Sequence, residues 1–375
     1  MGCTWGRRTP RRSRRSRRPL ILTPSSAGAA GFARTAKPRR SLAAWLVSLA
    51  IATVVASVFA VMIGSVYLSP SVVIGTVVGN LTGDLSAVDP LDQKIVWQLR
   101  VPRVLLAGVV GAGLSLAGAA LQGLLRNPLA DPYIIGVSSG ASLGAVLVMT
   151  LGSGALLGLT TSTAAFAGAI AVLALVYAFA QRSGSFTDMR LVLSGVALGY
   201  VAMSGTSFAQ LHAEPGEIRG MLFWMMGSVG GARWETLLIP AVTLVLAGGW
   251  LLTQARGLNA LALGDDDAVA VGVDLRTFRL GLLLTSAVLT AVAVSVAGGV
   301  GFVGLIIPHA MRLIVGADYR RLLPVTAVAG ALFLIIVDLI ARTIGSPNEY
   351  PLTIFTALIG GPFFLWLMRS SGGRS

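Results

Sequence analysis

The sequence predicts an all-α, polytopic membrane protein with about ten transmembrane helices. Hydrophobic residues make up 55% of the 375 residues and charged residues only 12%, whereas an ordinary globular domain has roughly 25% charged residues. The mean hydropathy is +0.80. Glycine accounts for 46 residues, which is typical of membrane helices that pack closely. So few charges could not cover the surface of a soluble protein of this length.

A basic arm, residues 1–41, precedes the first apolar run. Twelve of the 29 lysines and arginines lie in residues 1–40, and the first acidic residue is Asp84. The rest of the chain carries 17 basic and 15 acidic residues, so most of the net charge of +14 belongs to the arm. We expect a solvated, disordered cytoplasmic arm rather than a nucleic-acid-binding tail, because aromatic residues are sparse in it.

Ten apolar runs predict the membrane spans, since about 20 residues are needed to cross roughly 30 Å of hydrocarbon. The runs are residues 42–68, 103–125, 133–151, 163–181, 190–211, 236–255, 279–300, 302–315, 322–344 and 352–368. The eighth is short and contains Pro308, which predicts a bent or broken helix. In the second, small residues recur from Ala107 to Gly118, which predicts close helix contacts. These spans define a transmembrane domain over residues 42–369, followed by a cytoplasmic tail over residues 370–375.

The distribution of positive charge predicts the orientation in the plasma (inner) membrane. With the arm in the cytoplasm, eleven of the later lysines and arginines fall in cytoplasmic segments and six in outer segments. This bias is the one that the positive-inside rule describes. An even number of spans then places both termini in the cytoplasm.

The residue types that the chain lacks exclude several chemistries. Cys3 is the only cysteine, and His212 and His309 are the only histidines, which excludes a zinc cage or an iron–sulfur cluster on this chain alone. The only lysines, Lys37 and Lys94, do not follow a glycine, so the chain has no P-loop for ATP. We therefore expect no catalytic residue, no metal site and no cofactor on this chain.

The spans carry few ionisable residues. Asp338 and Arg342 lie four positions apart in the ninth span, so they share one helical face and predict an ion pair. An ion-coupled secondary transporter would use buried acidic residues or histidines, and the spans contain no series of them. A secondary transporter is therefore the weaker alternative, and a membrane-embedded enzyme is weaker still.

Three segments carry a specific resemblance. The first runs from Trp97 to Ala141, the second is Phe223–Ser228, and the third runs from Leu258 to Trp366. In this order they resemble the FecCD-type permeases, the membrane subunits of type II ABC importers for ferric siderophores, haem and vitamin B12. The resemblance covers roughly residues 42–369. It implies the type II importer permease fold and ATP-driven import of an iron chelate, a ferric siderophore first, with haem or vitamin B12 as alternatives.

The resemblance also implies partners and a docking site. The partners would be a second permease copy, an extracytoplasmic substrate-binding protein and two ATP-binding-cassette ATPase subunits, which would hold ATP and Mg. Arg100, Arg103 and Arg342 match positions that receive carboxylates of the binding protein. Guanidinium groups suit this role because they bind carboxylates with two hydrogen bonds. Contact with membrane lipid is also expected, and contact with nucleic acid is not.

Two cytoplasmic sites follow from the same resemblance. The segment from Leu258 to Gly272 resembles a coupling loop that contacts the ATPase; its site residues would be Leu258, Asn259, Ala260, Leu261, Leu263, Gly264 and Asp265. Ala260, Leu261 and Leu263 would form an apolar knob for a groove on the ATPase. The acidic run that begins at Asp265 suits a helix N-terminus. Asn127 and Leu129 match positions that narrow the cytoplasmic end of the transport pathway.

Overall fold

The long apolar runs fold into helices, as the sequence predicts. The protein is described here by a computed structural model over residues 1–2, 41–64, 66–86, 88–152, 158–182, 185–186 and 188–371. Within those residues the only strands are β1 (Gln181–Arg182) and β2 (Ser185–Phe186), which pair antiparallel. The predicted all-α membrane fold is therefore confirmed. Nearly all of the basic arm and the last four residues of the tail lie outside the described residues.

The helices follow the order of the apolar runs. They are α1 (Leu42–Met62), α2 (Pro70–Thr82), α3 (Pro90–Leu124), α4 (Val137–Leu151), α5 (Thr161–Ala180), α6 (Asp188–Leu211), α7 (Pro215–Met225), α8 (Trp234–Thr253), α9 (Ala255–Leu263), α10 (Asp265–Ala270), α11 (Leu275–Ala297), α12 (Val303–Val315), α13 (Tyr319–Thr343) and α14 (Leu352–Ser371). Single π-helical segments interrupt α3 at Lys94–Arg100 and α8 at Leu244–Gly248.

Each of the ten predicted spans corresponds to a helix, but the helices are of two kinds. Within the described residues, eight are long and apolar enough to cross a membrane: α1, α3, α5, α6, α8, α11, α13 and α14. The other two, α4 with 15 residues and α12 with 13, extend only about 20 Å at 1.5 Å per residue. Neither can cross the hydrocarbon alone. Pro308 lies inside α12, which continues past it instead of breaking there.

One helix lies outside the ten predicted spans, and another ends earlier than predicted. The first span was expected to run to residue 68, whereas α1 ends at Met62 and a separate helix, α2, starts at Pro70. The side chain of Ser69 accepts a hydrogen bond from the backbone of Val72, and Pro70 occupies the first helical position. Serine at the N-cap with proline after it is a strong signal for a helix start. The apolar run concealed that signal.

The centre of the molecule is α3, whose apolar part is 83% buried. It packs against α13, α11 and α12. A Cβ atom at Gly111 would collide with the carbonyl oxygen of Gly330 on α13, and one at Gly118 would collide with that of Gly304 on α12. The small residues of the second predicted span therefore mark close backbone contacts, as expected.

Candidate functional site

The antiparallel packing of α3 and α13 brings distant charged residues together at one end of the bundle. Gly111 of α3 lies against Gly330 of α13. Arg103, eight positions before Gly111, binds Asp338, eight positions after Gly330. Arg100 and Arg342 lie at the same end. We call it the arginine end, and it contains all three of the arginines that the sequence predicts for docking.

Asp338 is the buried centre of this cluster. Its carboxylate accepts hydrogen bonds from Nε of Arg103 at 3.1 Å and from Nη2 at 2.8 Å. Nε of Arg342 lies 3.8 Å from its Oδ2 atom, so the ion pair predicted from the four-residue spacing is present. Its closest partner is nevertheless Arg103, 235 positions away along the chain. Because the Asp338 side chain is only 2% exposed, removal of its partner would leave a buried charge uncompensated.

Glu349 is a member of the cluster that the sequence analysis did not identify. Its Oε1 accepts from Nη1 of Arg103 at 2.7 Å and its Oε2 from Nη2 at 3.0 Å. The Glu349 side chain is 45% exposed, so it is the accessible member of the group. A signal was available, since Glu349 is the first acidic residue after Asp338 and lies seven positions beyond Arg342.

The other two arginines bind backbone carbonyl groups at the end of α1. Nη1 of Arg100 donates to the oxygens of Val61 at 2.7 Å and Met62 at 2.9 Å, and Nη2 of Arg342 donates to that of Ala60. The last carbonyls of a helix have no intrahelical partner, so these guanidinium groups satisfy them. Both arginines are buried.

A cavity of about 320 Å³ opens at the arginine end. Arg100, Arg103, Arg342 and Glu349 line it, together with Gly64. The cluster as a whole contains three guanidinium groups and the two carboxylates of Asp338 and Glu349, so it has one excess positive charge. This excess would attract an incoming carboxylate.

The opposite end of α3 and α13 carries the two short helices α9 and α10, and we call it the short-helix end. Leu258 and Leu261 are three positions apart on α9 and are fully buried against this chain. Leu263 lies on the other side of the helix and is 77% exposed. The prediction that Leu261 belongs to an apolar knob is therefore wrong, because helical periodicity turns it inward. The exposed apolar side chains here are Leu263, Val269 and Val271.

Asp265 begins α10 and makes ion pairs. It is followed by Asp266 and Asp267 in the first turn, so the acidic run does lie at a helix N-terminus, as expected. Its carboxylate accepts from Nη2 of Arg279 at 2.9 Å, and its Oδ1 lies 3.3 Å from Nη1 of Arg126. Asp265 thus connects α10 to the start of α11 and to the end of α3.

Asn259 connects α9 to the start of α13. Its Nδ2 donates to Oδ1 of Asp318 at 2.7 Å, and its Oδ1 accepts from the backbone N–H of Tyr319 at 2.9 Å. The hydrogen bond from Asn259 is the main reason that the pKa of Asp318 is lowered. Asp318 is therefore held in its charged form at the N-terminus of α13, where a carboxylate is favourable.

The two residues expected to narrow the pathway lie together just beyond α3. Oδ1 of Asn127 accepts from the backbone N–H of Leu129 at 2.9 Å. Leu129 is exposed.

The remaining two residues of the predicted coupling loop lie on or next to α9. Ala260 is half-buried, and Gly264 joins α9 to α10 with a positive φ of 143°. Among the described residues, no group of three or more His, Cys, Asp or Glu side chains is placed to hold a metal ion.

Known proteins resemble this chain over most of its length. Residues 51–370 match the model of the FecCD transport family. The cobalamin import system permease protein of Halobacterium salinarum is 48% identical over 284 residues, 76% of this chain and 75% of that protein. The hemin transport system permease protein of Yersinia pestis is 43% identical over 278 residues, 73% and 83% of the two chains. A solved structure described as an inward-facing metal-chelate type ABC transporter has 36% identity and a TM-score of 0.75, and the match covers 87% and 98%.

The two carboxylates of the cluster differ in burial, so their removal should have unequal effects on stability. Asp338→Asn should lower the free energy of unfolding by about 3 kcal/mol or more, because Arg103 and Arg342 lose a buried counter-charge. Glu349→Gln should change it by no more than about 1 kcal/mol, since that carboxylate is partly exposed. Thermal unfolding of the purified proteins in detergent measures both. Equal effects of the two variants would contradict this account of the cluster.

Proposed function

The chain belongs to the FecCD transport family and is a membrane permease of the type II ABC importers, and we propose that its cargo is a bulky metal chelate. Such an importer works with ATPase subunits and a substrate-binding protein, so this chain has partners of both kinds. The observation that carries the proposal is the similarity to permeases named for cobalamin and hemin and to a metal-chelate transporter. These cargoes share a metal held in a large organic ligand.

Two classes of chelate are candidates for the cargo: ferric siderophores and metal tetrapyrroles. The resemblance of the sequence to the family favours a ferric siderophore, with haem or vitamin B12 as alternatives. The two relatives named for cobalamin and hemin, at 48% and 43% identity, favour a metal tetrapyrrole. Both classes are too large for a narrow ion channel and suit a wide path with apolar walls.

We assign the arginine end to the outside of the membrane, where the binding protein docks. The support is the cavity of about 320 Å³ with its excess positive charge. Arg103 is the only one of the three arginines bound by an exposed carboxylate, that of Glu349. An incoming carboxylate would replace Glu349 on the Nη atoms of Arg103. Arg100 and Arg342 would raise the local positive potential while they hold the end of α1.

We assign the short-helix end to the cytoplasm, where an ATPase subunit docks. Leu263, Val269 and Val271 expose apolar side chains there, and burial of such residues is a major source of binding energy at an interface. With both assignments, the amino and carboxyl termini lie in the cytoplasm.

The transport step needs a second permease copy, and we propose a homodimer. ATP binding at the two ATPase subunits would rock the two copies, so that the path between them opens to one side and then to the other. α6 exposes Leu193, Tyr200 and Met203, and a cavity of about 320 Å³ is lined partly by Tyr200 and Met203. A wall of this kind would let a chelate pass without binding it tightly.

The cargo is tested by uptake. A strain that lacks this permease should fail to accumulate a radiolabelled metal chelate, and the intact chain supplied on a plasmid should restore uptake. Parallel assays with a ferric siderophore, haem and cobalamin identify the class. If the strain without the permease takes up all three chelates as well as the complemented strain does, the proposal is contradicted. Uptake driven by an ion gradient without ATPase would favour a secondary transporter.

The docking of the ATPase predicts different results for two neighbouring leucines. Leu263→Asp should abolish pull-down of the ATPase subunit and ATP-driven uptake, because it places a charge in an apolar interface. It should leave the melting temperature nearly unchanged, since the side chain is exposed in this chain. Leu261→Asp should instead lower the melting temperature sharply. Normal ATPase binding by the Leu263→Asp protein would place the coupling surface elsewhere.

The docking of the binding protein predicts a gain of affinity. Glu349→Gln removes the carboxylate that competes for Arg103, so the variant should bind the substrate-loaded binding protein more tightly, by up to about fivefold. The gain should shrink as salt rises, because the interaction is screened. Surface plasmon resonance at two salt concentrations measures both effects. Weaker binding by Glu349→Gln would mean that Glu349 itself contacts the partner.

A further inference from the structure

We propose that the last turn of α3 and Arg126, two residues beyond its end, pass the movement of α9 and α10 to the membrane helices. Gln122 and Arg126 are then positioning residues for ATP-driven transport. The proposal rests on the proposed function, in that it takes the short-helix end as the ATPase side. It adds two residues and a route that neither the family resemblance nor the docking surfaces supply.

The exposed Leu263 is flanked by two residues that connect α9 and α10 to other helices through polar contacts. Asn259 lies four positions before it and binds the start of α13. Asp265 lies two positions after it and binds Arg126 and Arg279. A displacement at Leu263 therefore pulls on both connections at once.

The first connection continues through three polar side chains. Nη2 of Arg312 donates to the hydroxyl of Tyr319 at 3.4 Å, next to the N–H that Asn259 binds. Nη1 of Arg312 donates to Oε1 of Gln122 at 3.2 Å. Asn259, Tyr319, Arg312 and Gln122 thus form one continuous series of contacts from α9 to α3.

Gln122 ends the series at the carbonyl of Gly304, which has no hydrogen-bond donor four positions later in α12. Its Nε2 donates to the carbonyl oxygens of Gly304 at 3.4 Å and Leu305 at 3.3 Å, in the first turn of α12. The carbonyl of Gly304 would normally accept from the residue four positions later, which is Pro308, and proline has no N–H. Gln122 is 2% exposed, so its amide supplies a donor where water does not reach.

The second connection ends beside the residues expected to narrow the pathway. Arg126 has a left-handed φ of 47°, a conformation that is unusual for a residue with a side chain. It is directly followed by Asn127, whose backbone N–H donates to the carbonyl of Gln122. A shift of Asp265 thus acts on the backbone that carries Asn127 and Leu129. Strained backbone of this kind is concentrated at functional sites.

Both connections converge on the end of a rigid helix. Gln122 and Arg126 are four positions apart, and α3 extends from them to Arg103 at the arginine end. A helix packed backbone to backbone against α12 and α13 moves as a unit with them. Contiguous polar contacts joined to such a rigid element can carry coupling between distant sites. The coupling free energy is of the order of 0.5–2 kcal/mol, which corresponds to an about 2- to 30-fold change in an equilibrium constant.

The test uses the complete importer in proteoliposomes, with ATPase subunits and binding protein. The variants are Gln122→Leu, which keeps the volume but removes the amide, and Arg126→Asn, which tolerates a left-handed φ but removes the cation. Arg369→Asn is the matched control, since it removes an exposed arginine in the last turn of α14, outside both connections. ATP hydrolysis and chelate uptake are measured in the same vesicles.

Gln122→Leu and Arg126→Asn should retain pull-down of the ATPase and basal ATP hydrolysis. Chelate transported per ATP should fall on the order of 10-fold in each, and the stimulation of hydrolysis by docked binding protein should fall with it. The control should match the wild type. An unchanged ratio in both variants would overturn the proposal. A parallel loss of basal hydrolysis and uptake would also overturn it, because that result means a merely structural role.

A double-variant comparison tests the route itself. Asn259→Ala and Gln122→Leu act on one series of contacts, so their combined loss should be little more than the larger single loss. Gln122→Leu and Arg126→Asn act on two connections, so their losses should multiply. Multiplicative losses for Asn259 and Gln122 would overturn the series. A wild-type complex that transports no chelate would refute the proposed cargo, whereas the hydrolysis response to binding protein would still test the connections.

Discussion

The close contact between the backbones of α3 and α13 is the constraint on which the rest of the structure depends. Gly111 and Gly330 allow the helices to touch, and this register fixes which residues meet at each end. One end receives Arg103 and Asp338; the other places the last turn of α3 beside Tyr319. In lipid, apolar surface gives little drive for helices to associate, so such contacts between small residues supply the packing instead. A shift of the register would separate both polar clusters.

The buried charges at the arginine end are stable because each guanidinium group has a partner. Arg103 is neutralised by two carboxylates, while Arg100 and Arg342 satisfy carbonyl groups that α1 leaves free at its end. The same side chains thus join α1, α3 and α13 and create a positive cavity. A site that had only the docking role would expose its arginines more. With docking at this end, as proposed, stability and recognition would use one set of residues, so substitutions of Arg100 or Arg342 would disturb both together.

Composition and apolar runs predicted the fold class and ten helices, because the need to satisfy backbone groups in lipid leaves few alternatives. They indicated that α12 is short, but they did not predict that α4 is too short to cross alone, or that α2 starts at Pro70. The arginines were found by resemblance, whereas Glu349 was missed and Asp338 was paired with Arg342 before Arg103. The position of Leu261 was also wrong, since a short helix beside a buried surface can turn either face inward. Gln122 could not be found at all, because its amide binds the carbonyl of Gly304, 182 positions away.

The bond from Gln122 to the carbonyl of Gly304 sets an order on how these two positions could change over evolutionary time. A chain that first exchanged Pro308 for a residue with an N–H would restore the helical bond to Gly304, and that carbonyl would no longer need the Gln122 amide. A chain that first lost Gln122 would hold an unsatisfied carbonyl in the bundle, at a cost of about 1–3 kcal/mol. The exchange of Pro308 would therefore have to precede the loss of Gln122 for this carbonyl to keep a hydrogen-bond donor throughout.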